Sequence, residues 1–589
     1  MEISEIQARI AASKAEKLAA LLSAPPSTSP KEAVSLAPSP SPSPATPVVP
    51  VVPVVLTPIN RNDDITYNEQ QQEAINACCA FENVVICGSA GTGKTTIMKE
   101  VASRLTRDAS MPLLRESTGS ETDLVLKRGN PGVVAVSFTR TAVNNISRAM
   151  DGIIPCFTIH KLLEFKPVMY NVIDEAGEPK TKRIFEPTRN VINPLPRELR
   201  TIIIEESGVV SITLFNMLLA AIPEISRVQF IFLGDLFQLD PPYDPAILGF
   251  SLISPRFKKI ELTQVYRQKL HSPILRFALD IKDKKAIGSN HYASSSISNE
   301  HGTLLIKPFK KKVDEFKATM DAAKFLKSEW EAGLYFPERD AVILPFNKRF
   351  GSTELNLLIA DFMGKARKAV VHEIIAGFEK KYLAVGDHVV VNKLKGIITN
   401  IARNDGYLGK NSPQLASPNL DRFGYNGNRN LEDADILAID DDEHDEIDRL
   451  MAASLAGNED RLRNASHVVS VTLDTGEILE LSGAGDFNTA KFDFSYCLTC
   501  YKAQGSEWDT VYVFSHKSHA VMLCNEFFYT AATRAKKRLV MICEPDHLSK
   551  AMIKQGIIGN NWQQKSLHFK KNVAKLSALP LVDNFIIGA

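Results

Sequence analysis

At 589 residues the chain is too long for one hydrophobic core, and its length predicts roughly three to five domains. Lysine plus arginine total 69 and aspartate plus glutamate 68, so no overall basic field indicates a nucleic-acid partner, although a local basic channel stays possible. The absence of a bilayer-length apolar run, of a signal-peptide pattern and of a disulfide framework among eight scattered cysteines argues against a membrane or secreted protein. We therefore expect a soluble protein of a reducing, intracellular compartment.

Residues 1–60 are predicted to form a tail outside the folded part. Apolar residues between Ile3 and Leu22 share one helical face, which indicates a short amphipathic helix. From Pro25 to Pro58 the chain holds 11 of its 32 prolines, a composition typical of an extended linker. The helix is either a docking element for a protein partner or part of a disordered tail.

The stretch GSAGTGKTT matches the pattern G-x-x-x-x-G-K-[ST] of phosphate-binding loops. It follows a short apolar run, VVIC, of the kind that forms a buried strand, so strand, loop and helix occur in the required order. Small residues let backbone N–H groups turn towards phosphate oxygens, and the helix N-terminus adds positive potential. We predict that ATP is bound by Gly88, Ser89, Ala90, Gly91, Thr92, Gly93, Lys94, Thr95 and Thr96, with Thr95 also on Mg²⁺.

Further strands alternate with helices, which predicts a parallel α/β sheet with its ligand crevice at the carboxyl ends of the strands. TIIIEE ends one strand in Glu205 and Glu206, where one carboxylate can hold Mg²⁺ and the other can orient and deprotonate water. FIFLGDLFQ ends another with Gln238, whose amide could sense a γ-phosphate. Gln71, shortly before the loop strand, is a candidate reader of an adenine edge because its amide both donates and accepts.

Two insertions interrupt this alternation. A Gly/Pro turn predicts a small hairpin at about 166–198, and period-2 strands after Tyr382 with an Asp-Thr-Gly-Glu turn predict small-barrel strands. Residues 431–448 carry ten acidic side chains, which we interpret as a solvated insertion rather than a metal loop. Cys497 and Cys500 have C-x-x-C spacing, but no second pair accompanies them, so core thiols are expected.

Seven blocks occur in one order: GSAGTGKTT, TIHKLLEF, IIIEESGVVS, FLGDLFQLDPP, LTQVYRQ, LTCYKAQGSEWD and FFYTAATRAKKRL. In this order they resemble the superfamily 1B helicases, the RecD/Dda-like group of bacteria and their phages. The resemblance covers about Tyr67 to Leu539. It implies an α/β fold of two RecA-like parallel-sheet domains with a small hairpin insertion and an SH3-like β-barrel insertion.

The resemblance also assigns roles in ATP hydrolysis. It implies that Gln71 reads adenine, that Lys94 and Thr95 hold phosphate and Mg²⁺, that Glu206 is the catalytic base, and that Gln238 couples the γ-phosphate to the DNA track. Arg267 and Arg534 look like two arginine fingers, which suit a transferring phosphoryl group because the guanidinium is planar and always charged. The family usually has Asp-Glu where this chain has Glu205-Glu206, so Glu205 is the expected metal ligand with a longer side chain.

Strand-binding positions follow in the same way. The resemblance implies nucleic-acid contacts at Phe138, Thr139, Thr158, His160, Pro241, Pro242, Thr499, Lys502 and Gln504. Such sites combine hydroxyls and amides for phosphates with flat or apolar groups for bases. Phe138 stands where the family usually has proline.

The implied domains are residues 61–270 (domain 1A, with the hairpin at about 166–198) and 271–589 (domain 2A, with the barrel at about 385–494 and the acidic loop at 431–448). The implied function is an ATP- and Mg²⁺-dependent helicase that translocates 5′-to-3′ on single-stranded DNA in replication, recombination or repair. The alternatives are a viral-type RNA helicase and an ATP-gated nucleic-acid clamp without efficient hydrolysis. We expect a monomer without membrane association, located in the cytoplasm, or in the host cytoplasm if the chain is viral.

Overall fold

The chain divides into two units, 1–65 and 66–589. The computed structural model describes residues 66–588 apart from 90, 108–131, 174–178, 242–243, 265–271, 284–295, 309–313, 348–350, 378, 392–393, 408–463, 475, 488–491 and 560. The predicted tail, the acidic loop 431–448, Ala90, Pro242 and Arg267 therefore lie outside the described residues. No described helix is both long and apolar enough to cross a membrane.

A six-stranded parallel sheet forms the first half of the described fold, in the order β3-β2-β6-β7-β1-β8. Its strands are β1 (Val84–Gly88), β2 (Val133–Ser137), β3 (Cys156–Thr158), β6 (Thr201–Ile204), β7 (Gln229–Gly234) and β8 (Lys258–Leu262). β1, β2, β6 and β7 are buried along their whole length, as expected for strands covered on both faces.

Helices cover this sheet, and several of them begin at a capping side chain. They are α1 (Glu69–Cys79), α2 (Lys94–Arg107), α3 (Arg140–Met150), α4 (Ile159–Leu162), α5 (Ile212–Ala220) and α6 (Ile247–Ile253). Asn68 starts α1 with a reciprocal capping box, and Ser211 starts α5 by accepting a bond from the Leu214 amide. Between α4 and β6 lies the antiparallel hairpin of β4 (Phe165–Ile173) and β5 (Pro179–Pro187), at the position predicted for the first insertion.

The second half contains another six-stranded sheet, in the order β19-β11-β20-β21-β10-β9, parallel except for the β9 edge. Its strands are β9 (Ser296–Asn299), β10 (Gly302–Pro308), β11 (Ala341–Leu344), β19 (Cys497–Thr499), β20 (Trp508–Ser515) and β21 (Ala535–Cys543). Its helices are α7 (Pro273–Lys282), α8 (Glu315–Glu331), α9 (Ser352–Ala366), α10 (Cys500–Ala503), α11 (Asn525–Ala532) and α12 (Pro545–Ile553).

A seven-stranded antiparallel sheet is inserted between β11 and β19, where the resemblance implies an SH3-like barrel. It comprises β12 (Val371–Ala376), β13 (Glu379–Ala384), β14 (His388–Val391), β15 (Leu394–Arg403), β16 (Asn464–Leu473), β17 (Ile478–Gly483) and β18 (Phe492–Phe494). The predicted Asp-Thr-Gly-Glu hairpin is β16 paired with β17. The sheet starts upstream of the predicted limit near residue 385, because β12 and β13 also belong to it. The fold class is therefore the predicted one.

The C-terminal helices α13 (Trp562–Lys571) and α14 (Pro580–Ile586) return to the first half. Phe585 packs its ring 4.9 Å from Phe230 of β7 and 5.6 Å from Phe215 of α5. Gly249 of α6 packs so closely against the Phe569 ring that an added Cβ would collide with it. The segment that follows the second sheet thus completes the core of the first one.

Candidate functional site

The predicted phosphate loop lies between the carboxyl end of β1 and the start of α2. Gly91 and Gly93 have left-handed backbone conformations (φ 82° and 88°), and a Cβ on Gly93 would lie 2.6 Å from Gln71 Nε2. Only glycine meets both requirements at position 93 without strain. The loop therefore has the tight, side-chain-free backbone that its sequence predicts.

Lys94 begins α2 and folds back over the loop. Its Nζ donates to the carbonyl oxygens of Gly88 (2.7 Å) and Ser89 (3.1 Å). Both acceptors are neutral carbonyl oxygens, and the loop is bounded by the positive end of a helix. This arrangement suits a phosphate anion.

Gln71 packs against the same loop. Its Nε2 donates to Thr92 O (3.1 Å), and its Oε1 accepts from the Asn68 amide (3.1 Å). The buried amide thus ties the start of α1 to the loop. Each amide atom retains one further hydrogen-bonding position, so Gln71 could still contact an adenine edge. That role stays a prediction.

The two acidic residues follow β6, which lies next to β7, the neighbour of the loop strand. Glu205 is buried, and its carboxylate accepts from the Glu206 amide (2.8 Å) and from the Thr95 hydroxyl. Burial and the neighbouring Glu206 carboxylate raise the pKa of Glu205 to about 7, while Lys94 and the two hydrogen bonds oppose that shift. Glu206 has a left-handed backbone (φ 52°) and a half-buried side chain.

Thr95 and Glu205 therefore meet at the loop, and their oxygens are hard donors of the kind that Mg²⁺ prefers. The residues present fit the predicted cation, and the longer side chain of Glu205 does reach Thr95. The described residues contain no cluster of three or more His, Cys, Asp or Glu side chains that could hold a metal elsewhere. Cys497 and Cys500 are free, buried thiols, in line with the expected core role.

The loop after β7 joins the two halves. Asp235 Oδ2 accepts from the Tyr529 hydroxyl of α11 (2.7 Å). Leu239 N donates to the Thr530 hydroxyl (3.0 Å), and Leu239 O accepts from Gln504 Nε2 (2.9 Å). Gln238, at the middle of this loop, is buried. Three hydrogen bonds thus tie the loop that holds the predicted γ-phosphate sensor to the second half.

Arg534 follows α11, and its guanidinium is buried. It donates to Thr530 O (3.0 Å), Ser506 O (3.4 Å) and Thr533 Oγ1 (3.1 Å), all within the second half. The structure thus holds Arg534 on its own half and does not bring it onto the phosphate loop. Its role as an arginine finger stays a prediction.

The predicted strand-binding threonines lie at the carboxyl ends of parallel strands. Thr139, Thr158 and Thr499 each accept a bond from the backbone amide three residues later and so begin α3, α4 and α10. A hydroxyl that accepts in this way keeps its proton for a phosphate oxygen. Lys502 is exposed and Pro241 half-buried. Gln504 is instead buried, and its side-chain amide donates to Leu239 O at the junction between the halves.

An aromatic cluster lies beside these threonines. The His160 ring contacts Phe138 edge to face at 5.6 Å and Phe165, at the base of the hairpin, at 4.8 Å. Phe138 is 42% exposed, which leaves an aromatic surface on which a base could stack. The proline-to-phenylalanine departure therefore adds a flat ring to the predicted track.

Several site residues carry no recognisable sequence signal. Tyr529 and Thr530 lie within the block FFYTAATRA as ordinary helix residues, and Lys282 is the last residue of α7. Lys282 Nζ lies 3.3 Å from Ser89 Oγ, 193 residues away in sequence. Asn145 Nδ2 donates to Gly505 O (2.6 Å), which links α3 to the turn after α10. Only long-range contacts reveal these residues.

Comparisons with known proteins cover most of the chain. Residues 66–302 match the family model "AAA domain", and residues 494–542 match "UvrD-like helicase C-terminal domain". The chain is 26% identical over 483 residues to the ATP-dependent RecD2 DNA helicase of Deinococcus radiodurans. This alignment covers 80% of this chain and 48% of that protein. It is 27% identical over 233 residues to the ATP-dependent DNA helicase dda of Enterobacteria phage T4, covering 38% of this chain and 44% of that protein.

The chain thus spans about half the length of the curated relatives it matches. A solved structure of Bacteroides Pif1 bound to ssDNA aligns with a TM-score of 0.40 and 14% identity, over 87% of this chain and 99% of the other. The two family models match the N-terminal and C-terminal motif blocks in the order in which the sequence presents them, and both curated relatives are RecD-like or Dda-like. These matches confirm that the chain resembles the RecD/Dda-like superfamily 1B helicases.

Proposed function

We propose that this chain is an ATP-dependent helicase that moves along single-stranded DNA in the 5′-to-3′ direction and unwinds duplex DNA in replication, recombination or repair. One observation carries the proposal. Adjacent strands bring the phosphate loop, the Thr95–Glu205 pair and the Asp235–Leu239 loop to one edge of the first sheet, and that last loop is hydrogen-bonded to α11 and Gln504 of the second half.

The site residues divide the work of ATP hydrolysis. Lys94 and the loop amides would hold the β- and γ-phosphates, and Thr95 and Glu205 would hold Mg²⁺. When bound, Mg²⁺ supplies neutralising charge to the phosphate oxygens. Glu206, half-buried beside Glu205, would orient the attacking water and accept its proton.

The second half would complete the site on closure. Arg534 follows α11, whose Tyr529 and Thr530 bind the Asp235–Leu239 loop, and Arg267 is the other proposed finger. Since both come from this same chain, a monomer suffices for the reaction. Opening and closing would then move the helix-capping threonines of the two halves relative to each other, which is a step along the strand.

The track for the strand would combine the capping hydroxyls with the Phe138–His160–Phe165 ring cluster. The hydroxyls suit phosphates and the rings suit bases, a combination that needs no sequence readout. The hairpin that begins at Phe165 lies directly beside this cluster. The tail of residues 1–60 is proposed as the contact with a protein partner.

Single-strand-stimulated ATP turnover is the direct test, with the full chain and Mg²⁺ present. We expect single-stranded DNA to raise turnover and Lys94→Ala to abolish it, because the ammonium is the loop's own phosphate ligand. Lys324→Ala, on an exposed face of α8, is the matched control. If neither DNA nor RNA oligonucleotides change the rate of ATP turnover, the translocase proposal is contradicted.

Unwinding assays define polarity and substrate. Duplexes with a 5′ tail should be separated and those with a 3′ tail should not, and matched DNA and RNA duplexes compare the DNA proposal with the RNA alternative. Preference for RNA would overturn the choice of DNA. Binding of single strands without turnover in the wild-type protein would instead support the ATP-gated clamp.

A further inference from the structure

Lys282 brings a positive charge from the second half onto the phosphate loop. It ends α7, the helix that opens that half, and its Nζ lies 3.3 Å from Ser89 Oγ. The same ammonium lies 4.5 Å from the centre of the Phe237 ring, next to the proposed sensor Gln238. One side chain therefore contacts both the loop that would hold the phosphates and the loop that would report on them.

Two lysines converge on Ser89. Lys94 Nζ donates to the Ser89 carbonyl oxygen at 3.1 Å, and Lys282 Nζ contacts the Ser89 hydroxyl. Neither ammonium forms an ion pair within the part of the chain that the structure describes, and their hydrogen-bond acceptors are all neutral oxygens. The Glu205 carboxylate already interacts electrostatically with Lys94, and an anion between the two ammonium groups would further relieve their mutual repulsion. The pair is therefore arranged for an anion with several oxygens.

The position of Lys282 indicates which phosphate of a bound nucleotide it would contact. The inner phosphates of a nucleotide are enclosed by the loop backbone and the N-terminus of α2. A group that arrives from the opposite half reaches the outermost phosphate first. Arg534 does not compete for this place here, because its guanidinium donates to three oxygens of its own half.

We propose that Lys282 is a phosphate-binding residue that contacts the terminal phosphate of a nucleoside triphosphate and so distinguishes the triphosphate from the diphosphate. The contact exchanges the neutral Ser89 hydroxyl for a charged phosphate oxygen, and a hydrogen bond between two charged groups is the stronger of the two. Because Lys282 also contacts the Phe237 ring, a movement of its ammonium would change the packing next to Gln238. The inference rests on the proposed function and deepens it.

Nucleotide affinity tests this role without relying on turnover. Titration calorimetry of the full chain with Mg²⁺ and either ATPγS or ADP would be compared for the wild type, Lys282→Ala, Lys282→Arg and the control Lys324→Ala. We expect Lys282→Ala to weaken the binding of ATPγS about 10- to 100-fold, which is the usual effect of losing one charged hydrogen bond. The binding of ADP should weaken less than about threefold. Lys282→Arg should stay within about threefold of the wild type for both.

The outcomes separate this inference from the proposed function. If the wild type binds neither nucleotide, the proposed function fails and the inference fails with it. If the wild type binds both but Lys282→Ala leaves the ATPγS-to-ADP ratio unchanged, only the role of Lys282 is overturned. An equal loss for both nucleotides with a lowered melting temperature would likewise overturn it, because that result indicates a structural role.

Discussion

Glu205 stands where the family that this chain resembles usually has aspartate. Its carboxylate is buried at the end of β6 and accepts from the Thr95 hydroxyl, so despite the extra methylene it lies beside the other residue that we propose as a Mg²⁺ ligand. The sequence indicated the residue, and only the packing of β6 beside β7, with β1 next, showed that its side chain reaches the loop.

Substitution at Glu205 tests this geometry. We expect Glu205→Asp to keep Mg²⁺-dependent ATP turnover within about tenfold of the wild type, because both side chains present a carboxylate there. Glu205→Gln should lower turnover by at least about 100-fold, since it removes the charge that holds the cation. Steady-state ATPase assays with a Mg²⁺ titration measure both effects.

Glu338→Gln, at an exposed position, is the control for loss of one carboxylate. If Glu205→Gln behaves like this control, Glu205 is not a metal ligand.

At the scale of elements, the C-terminal helices are the largest feature that sequence patterns did not place. Lys565 of α13 is fully buried and pairs with Glu526 of α11 at 2.9 Å, and it also donates to Ile557 O at 3.0 Å. Burial alone would raise the pKa of Glu526, but Lys565 and the Gly556 amide bring it below its ordinary value. The helix that covers the first core is thereby tied to the helix that precedes Arg534.

Breaking the Lys565–Glu526 ion pair should destabilise the fold. Lys565→Met leaves the Glu526 carboxylate buried without its cation, and we expect it to lower the free energy of unfolding by about 3–5 kcal/mol. Lys570→Met, on the exposed face of the same helix, should change it by less than about 0.5 kcal/mol. Denaturant unfolding followed by circular dichroism measures the difference.

The double variant Lys565→Met/Glu526→Leu should recover part of the loss, because no buried charge is then left unpaired. Equal stability of Lys565→Met and Lys570→Met would mean that α13 is not held through this pair.

For the whole molecule, the decisive feature is the junction between the halves. Asp240 lies there, at the end of the loop whose Asp235 and Leu239 bind α11. Burial raises the pKa of Asp240 to about 7; Lys565 of α13 opposes the shift and Glu526 of α11 adds to it. Asp240, Glu526 and Lys565 therefore interact electrostatically at the junction.

The raised pKa predicts how stability depends on pH. Since the folded pKa of Asp240 is above the unfolded value of about 3.9, its stabilising contribution is fully present below about pH 4 and is lost as pH rises through about 7. Asp240→Asn should therefore be more stable than the wild type by about 1–3 kcal/mol at pH 8 and lose this advantage towards pH 5. Thermal melts of both proteins across this range provide the measurement.

Asp583→Asn, a carboxylate elsewhere in the chain, serves as the comparison. A constant difference between Asp240→Asn and the wild type at every pH would show that Asp240 does not titrate near neutrality.

Local sequence patterns were enough to predict the α/β fold class and the glycine-rich turn of the phosphate loop. Continuous apolar strands, glycines at 91 and 93, and acids at strand ends are local patterns, and their physical causes act over a few residues. The sequence also indicated the Asp-Thr-Gly-Glu hairpin and the insertions, whose turns are local as well.

Contacts between residues far apart in sequence depend on how the strands and helices pack. The Lys282–Ser89 contact, the Tyr529–Asp235 bond and the return of α13 and α14 to the first core join residues far apart in sequence. No local propensity encodes such pairs, because a single lysine or tyrosine looks the same whether it is solvated or buried at a junction. Strand order and helix packing determine those positions.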